Sequence, residues 1–210
     1  MNNQYPFQAQ PLPYSYIALV PYCDADTLYL HHAQYYAKKV CELNTLVRQH
    51  RLEHLTLEEI LTRRINLPVV QEERLKSVAG AVYNHQLFFD GITDTPKEPP
   101  LNQIVGEVVA KYGTMDRFGK LIAQAAGSLL GAGWVFLTYE KTAGLAIVVT
   151  CNCETVALQS VVPLLALDLW EHSYFLMNQF DREKYVDGWL ALIDWDKAEV
   201  RYQKALQSKI

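Results

Sequence analysis

Asp168-Leu169-Trp170-Glu171-His172 is the stretch on which the reading of this chain turns. It sets an acid and a histidine four residues apart, with a tryptophan and a second acid between them. On a helical turn, positions i and i+4 share a face, so Asp168 and His172 are expected to grip one ion while Glu171 points elsewhere. The match is short, and its weight rests on whether other parts of the chain supply further ligands.

Working outward, residues 161–168 read as a strand, although their leucine content leaves a helix open. Residues 170–179, 182–192 and 196–206 read as helices. Upstream, 133–139 and 145–151 are rich in β-branched and aromatic residues and flank a Lys141-Thr142-Ala143-Gly144 turn, which predicts an antiparallel hairpin. Helices are expected at 103–112 and 115–130. The Pro-rich segment 91–101 reads as a linker and places a domain boundary between residues 92 and 93. Before it, Asp24 to Thr27 offer N-cap residues for a long helix running to about Arg51. Thr56 and Glu59 form a capping-box pattern for a short helix, and 72–90 is a second long helix ending the hairpin. Residues 1–22, with four prolines, read as an extended arm. The fold expected from this pattern is α+β, an N-terminal helical hairpin (1–92) followed by an α/β domain (93–210) with a three-stranded antiparallel sheet.

Composition narrows the function. With 210 residues and 50% hydrophobic content the chain can bury a sizeable core. A net charge of −4 shows no basic excess of the kind nucleic acids select. The longest apolar stretches, such as 161–167, are too short to span a bilayer, and no leader-like segment opens the chain. Four cysteines without a C-x-x-C pair read as reduced thiols, so a cytoplasmic protein is expected.

Of the six histidines, His50 and His54 sit in a polar stretch and read as solvated. His31 lies on the apolar face of the first long helix and His85 on that of the second. A single histidine on an apolar face is usually a hydrogen-bonded core residue. Two facing helices that each offer one, together with Asp168 and His172, form a set of three imidazoles and one carboxylate. Such a set suits iron or manganese and leaves room for a bound water.

The chain resembles the iron/manganese superoxide dismutase family along nearly its whole length. The matching pieces are P-L-P-Y at 11–14, D-T-L-Y-L-H-H at 26–32, Y-N-H at 83–85 and G-A-G-W at 131–134. They continue with P-L-L-A-L-D-L-W-E-H-S-Y at 163–174 and W-L-A-L-I-D-W at 189–195. The resemblance implies one iron or manganese ion per subunit, held by His31, His85, Asp168, His172 and a solvent molecule. It implies superoxide as substrate and a homodimer, with a tetramer as the alternative, in which Glu171 bonds to the partner subunit's His172. It also implies that Trp134 and Trp170 wall the pocket.

Several positions depart from the family pattern. Lys39 stands where the family has a gateway tyrosine. Tyr35 and Phe175 replace a histidine and its tyrosine partner across the dimer. Ala81 and Cys153 occupy the two places where an outer glutamine is found, and Phe89 replaces a tryptophan. Lys39, Tyr35 and Cys153 are therefore the candidate catalytic substitutes. Lys39 reads either as an ammonium attracting superoxide or as a solvated surface lysine. Cys151 and Cys153 would share a strand face, sending Cys153 toward the metal-bound solvent. There it is either a weak hydrogen-bonding or oxidisable thiol or a filler of the glutamine's space. The function expected is superoxide dismutation. The alternative is a metal-binding relative with another redox role or a scaffold role.

Overall fold

The computed structural model describes residues 3–156, 158 and 160–207. Met1 and Asn2 of the expected arm, and residues 208–210 of the expected second half, lie outside the described residues.

The first long helix starts where expected. Asp24 Oδ1 accepts from the Thr27 N–H at 2.7 Å, a cap typically contributing about 1 kcal/mol. The helix is not uniform, however. It runs as α1 (Ala25–Tyr29), a π-helical segment (Leu30–Tyr36) and α2 (Ala37–Gln49). The Thr56/Glu59 capping box is formed at the head of α3 (Leu57–Thr62). The second long helix, α4 (Val69–Asp90), starts three residues earlier than the sequence suggests, directly after Pro68. From Val78 to Phe89 every residue of α4 is buried, which no amphipathic stripe would give. Flanking elements cover it on all sides: α2, α3, the π segment and β3 all pack on it.

After the linker come α5 (Gln103–Tyr112) and α6 (Met115–Ser128), then β1 (Gly133–Glu140), β2 (Gly144–Cys151) and β3 (Val162–Asp168). Residues 162–168 are thus a strand, which settles the helix alternative. The sheet order is β2-β1-β3, antiparallel throughout. Gly144, at φ 74°, makes the left-handed turn of the hairpin. The β1–β3 register slips between Leu137 and Thr138, where Pro163 faces Thr138. Proline lacks the N–H a ladder needs, and a bulge absorbs it. Helices α7 (Glu171–Asn178), α8 (Arg182–Leu192) and α9 (Trp195–Gln207) close the chain.

One hydrophobic cluster runs through both halves, from Leu43 and Leu87 to Phe136 and Leu165. Burying each such side chain contributes roughly 1.5–3 kcal/mol. The halves approach closely at Gly80, where an ideal Cβ would lie 2.1 Å from the carbonyl oxygen of Cys153. Among the described residues no helix is long and apolar enough to cross a membrane.

Candidate metal centre

Four side chains from four separate elements meet in the middle of this core. His31 comes from the π segment, His85 from α4, Asp168 from the end of β3 and His172 from the first turn of α7. Asp168 therefore does not share a helical turn with His172, as the four-residue spacing suggests. It closes a strand, and Trp170 is the N-cap residue at which α7 begins. The two side chains still converge because the chain turns sharply at Leu169 and Trp170. The Trp170 N–H donates to Asp168 Oδ1 at 2.9 Å, and Ser173 Oγ donates to the Asp168 carbonyl at 3.1 Å.

The other carboxylate oxygen, Oδ2, faces three imidazoles. Its distances to Nε2 of His31, His172 and His85 are 3.1, 3.2 and 3.4 Å. All four donor atoms lie within 4.8 Å of one another. Donors about 2.1 Å from a common ion stand roughly 3–4 Å apart, so the set is sized for one metal. His31 Nε2 is buried and close to Asp168 without the alignment of a hydrogen bond. It is a ligand atom aimed at the shared space. His85 Nδ1 donates to the Ala81 carbonyl at 2.6 Å, which fixes the tautomer and turns the Nε2 lone pair inward.

Charge follows burial. Burial lowers the His85 pKa from 6.5 to about 3 and lowers that of His31, despite the opposing carboxylate. Burial alone would raise Asp168, but His172 and His31 outweigh it and hold the carboxyl below its usual range. Burial thus favours neutral imidazoles at His31 and His85 beside an anionic Asp168, the protonation states a metal needs. A stability consequence follows for the metal-free chain. Between pH 6.5 and 3 the unfolded histidines bind protons that folded His85 refuses, so stability falls as pH drops through that window. Below 3.8 the depressed Asp168 acts in the same direction. Urea midpoints of metal-free protein are expected to decrease steadily from pH 7 to 4; a flat profile would contradict the assigned burial.

Aromatic rings enclose the cluster. Trp134, on β1 opposite Asp168, meets the His85 ring edge-on at 5.0 Å. Trp170 stacks on His172 at 5.9 Å, its indole N–H held by the Asn152 carbonyl. Phe88 and Phe89 pack on His31 at 5.1 and 4.9 Å. Tyr35 stacks on His172 at 4.0 Å and lies 5.4 Å from His85, while Tyr36 lies parallel to His85 at 6.0 Å. His31, Tyr35 and Tyr36 all reach His85 because the wider π turn brings i, i+4 and i+5 toward one side. Such segments recur at functional sites.

The remaining candidates are placed as follows. Lys39 is neither free nor fully solvated: Nζ is 3.1 Å from Glu42 Oε2 and 5.6 Å from the Tyr35 ring centroid. Cys153 is not on a strand. β2 ends at Cys151, and Asn152 at φ 52° turns the chain, so the two cysteines do not share a strand face. Cys153 sits half-buried on a loop against Gly80, and burial pushes its thiol pKa up. It lines a cleft of about 580 Å³ with Lys76, Ser77 and Thr155, which none of the four ligands lines. Glu171 is exposed, and Phe175 is 41% exposed. Ala81 is buried beneath His85. Of the two histidines read as solvated, His54 is exposed but His50 is half-buried at the end of α2.

Sequence reasoning passed over His32, Tyr36 and Arg182. His32 is buried between the Gln10 carbonyl at 2.7 Å and Tyr16 Oη at 3.2 Å. Arg182 donates to the carbonyls of Leu129 at 3.1 Å and Gly131 at 2.9 Å, with a longer contact to that of Leu169 beside Asp168. Only partners far apart in sequence reveal these roles, and no local spacing signals them.

A buried set of three imidazoles and one carboxylate on an α-hairpin plus α/β frame defines a redox-metal protein of the three-histidine, one-aspartate class. Residues 6–93 match the family model of the iron/manganese superoxide dismutase alpha-hairpin domain, and residues 100–201 match that of the C-terminal domain. The chain belongs to the iron/manganese superoxide dismutase family. It is 31% identical over 199 residues to "Superoxide dismutase [Mn/Fe] 2" of Staphylococcus aureus strains bovine RF122 / ET3-1 and Mu50 / ATCC 700699, covering 95% of this chain and 98% of each relative. Membership makes it an oxidoreductase whose cofactor is one iron or manganese ion per subunit.

Proposed function

We propose that this chain converts two superoxide anions and two protons to dioxygen and hydrogen peroxide at the centre formed by His31, His85, Asp168 and His172. The observation that carries this reading is the convergence of three Nε2 atoms on one Asp168 oxygen at 3.1–3.4 Å. An iron or manganese ion held by His31, His85, Asp168 and His172 would supply the one-electron chemistry through its +3 and +2 states.

The protein's own residues do the rest. Asp168 contributes the one negative charge among the four donors and so favours the higher oxidation state. The Ala81 carbonyl raises the basicity of His85 through its Nδ1–H. Trp134, Trp170, Phe88 and Phe89 keep bulk water from the donor atoms. Tyr35 and Lys39 are the proton-bearing groups on the His172 side. Burial keeps the Tyr35 hydroxyl protonated, so it acts as a hydrogen-bond donor. The Lys39 ammonium attracts the anion. Cys153 remains a neutral thiol and a space-filling neighbour. Because thiolate is the reactive form, its raised pKa argues against a peroxide-handling role.

The same reading takes the division near residue 92 as two domains that share the site, and the protein as cytoplasmic. It also takes the active form as a homodimer. Exposed Tyr29 and Leu30 lie on segments packed against α7, which carries exposed Phe175 and Leu176 beside Glu171. Phe175→Glu is expected to halve the molar mass measured by light scattering at micromolar concentration. An unchanged mass would place the interface elsewhere.

The test of function is metal analysis of purified protein, with superoxide consumption measured before and after reloading with iron or with manganese. Activity restored by either metal supports dismutation. Bound metal without activity in either form overturns it.

A further inference from the structure

The four ligands are unevenly covered. The side chains of His31, His85 and Asp168 are 3%, 2% and 0% exposed, whereas that of His172 is 21% exposed. A small anion therefore reaches the donor cluster past His172. Tyr35, stacked on that imidazole at 4.0 Å, covers the approach, with Lys39 Nζ 5.6 Å from its ring centroid. Lys39 is not loose. It donates to Glu42 Oε2 at 3.1 Å, and the second carboxylate oxygen, Oε1, accepts from Arg74 Nη2 at 3.2 Å. Glu42 therefore joins α2 to α4 with a cation on each oxygen. Lys39 and Glu42 are about a quarter exposed, at 25% and 27%, so salt screens them less than it screens fully solvated charges.

We propose that Glu42 is the positioning residue of the anion entrance: its carboxylate holds the Lys39 ammonium beside Tyr35 and, by also taking Arg74, leaves the entrance one positive charge in excess rather than two. This rests on the dismutase reading for the identity of the anion, superoxide. An ammonium on a four-carbon stem has many rotamers, and a carboxylate three residues on selects among them. Its contact with the ring face adds a cation–π attraction. The rate at which a charged substrate is captured depends on the local field at the mouth, and that field falls with ionic strength. Glu42 thus fixes where the charge sits and moderates how much of it there is. The sequence holds only a faint sign of this, the Lys39/Glu42 spacing of three. Arg74, on the other helix, is joined to the pair by folding alone.

The test uses iron-loaded holoprotein and azide as the probe anion, followed by visible absorption. Glu42→Gln keeps the shape and an acceptor oxygen but removes the charge. At low salt it is expected to bind azide about two- to fivefold more tightly, with a steeper salt dependence. The difference should close near 1 M salt, where screening acts over about 3 Å. In a Lys39→Met background the same substitution removes the same negative charge but has no ammonium to release, so the two factors are expected to differ by at least about twofold, because residues that act together are not additive. Unchanged azide affinity in Glu42→Gln, or the same factor in both backgrounds, overturns the proposal. If the loaded protein consumes no superoxide, the dismutase reading fails, and the azide titration still reports on Glu42.

Discussion

Asp168→Ala is expected to abolish metal retention during purification. Asp168 is the only anionic member of the donor set, is fully buried, and lies within 3.4 Å of all three imidazole Nε2 atoms. Removing it leaves three neutral ligands and no charge to offset a di- or trivalent ion. Losing a residue that merely supports a ligand typically costs 10–100-fold in metal affinity, so losing this ligand should cost more than about a hundredfold. The metal-free fold should suffer far less. The variant removes a buried carboxylate, which is expensive to keep dry, and strands the Trp170 N–H, a loss of about 1–3 kcal/mol. The two effects oppose each other. Melting scans with and without added manganese separate them, because a ligand that binds only the folded state raises the midpoint. The parent protein should gain stability from the metal and the variant should not. Full metal occupancy in Asp168→Ala would mean that the centre is wrongly assigned.

Gly80→Ala is expected to destabilise the protein by about 3 kcal/mol, equivalent to roughly 6–12 °C in the melting midpoint for a chain of this size. Its sign is what makes it informative. In an open helical position, glycine to alanine stabilises by about 0.5–1 kcal/mol. At Gly106 and Gly127 a new Cβ would meet nothing within 4 Å, and those variants should show that gain. At Gly80 the Cβ would stand 2.1 Å from the backbone oxygen of Cys153, which no rotamer change can relieve. Either α4 or the loop after β2 must move. Movement of α4 carries His85 with it, and movement of the loop disturbs Asn152, whose carbonyl holds the Trp170 indole. Metal affinity should therefore fall along with stability. A stabilised Gly80→Ala would mean that the loop yields without strain.

Much of this was legible in local sequence because local chemistry caused it. Asp24 and Thr56 cap helices through atoms three residues away. Runs rich in β-branched and aromatic residues on either side of the Lys141–Gly144 turn make a hairpin, and the pairing of Glu140 with Gly144 follows. The four ligands were found from residue type together with the resemblance of their surroundings. Periodicity alone misleads at two pairs of residues. Asp168 and His172 have helical spacing but straddle a strand end, and Cys151 and Cys153 have strand spacing but straddle a left-handed turn. A spacing predicts a shared face only when one regular element continues through it, and both pairs span a boundary.

The sequence by itself therefore determined most of the helices, the β hairpin and the hairpin-then-sheet order, since caps and turns act over a few residues, and with the family resemblance it named the donor set. Tertiary structure alone decided the rest. It set the π-helical widening that turns His31, Tyr35 and Tyr36 to one side, and the contact of Gly80 with Cys153. It also decided that Lys39 answers to a carboxylate shared with Arg74 on another helix. These depend on distances between segments far apart in the chain, which are fixed only when the common core closes around them.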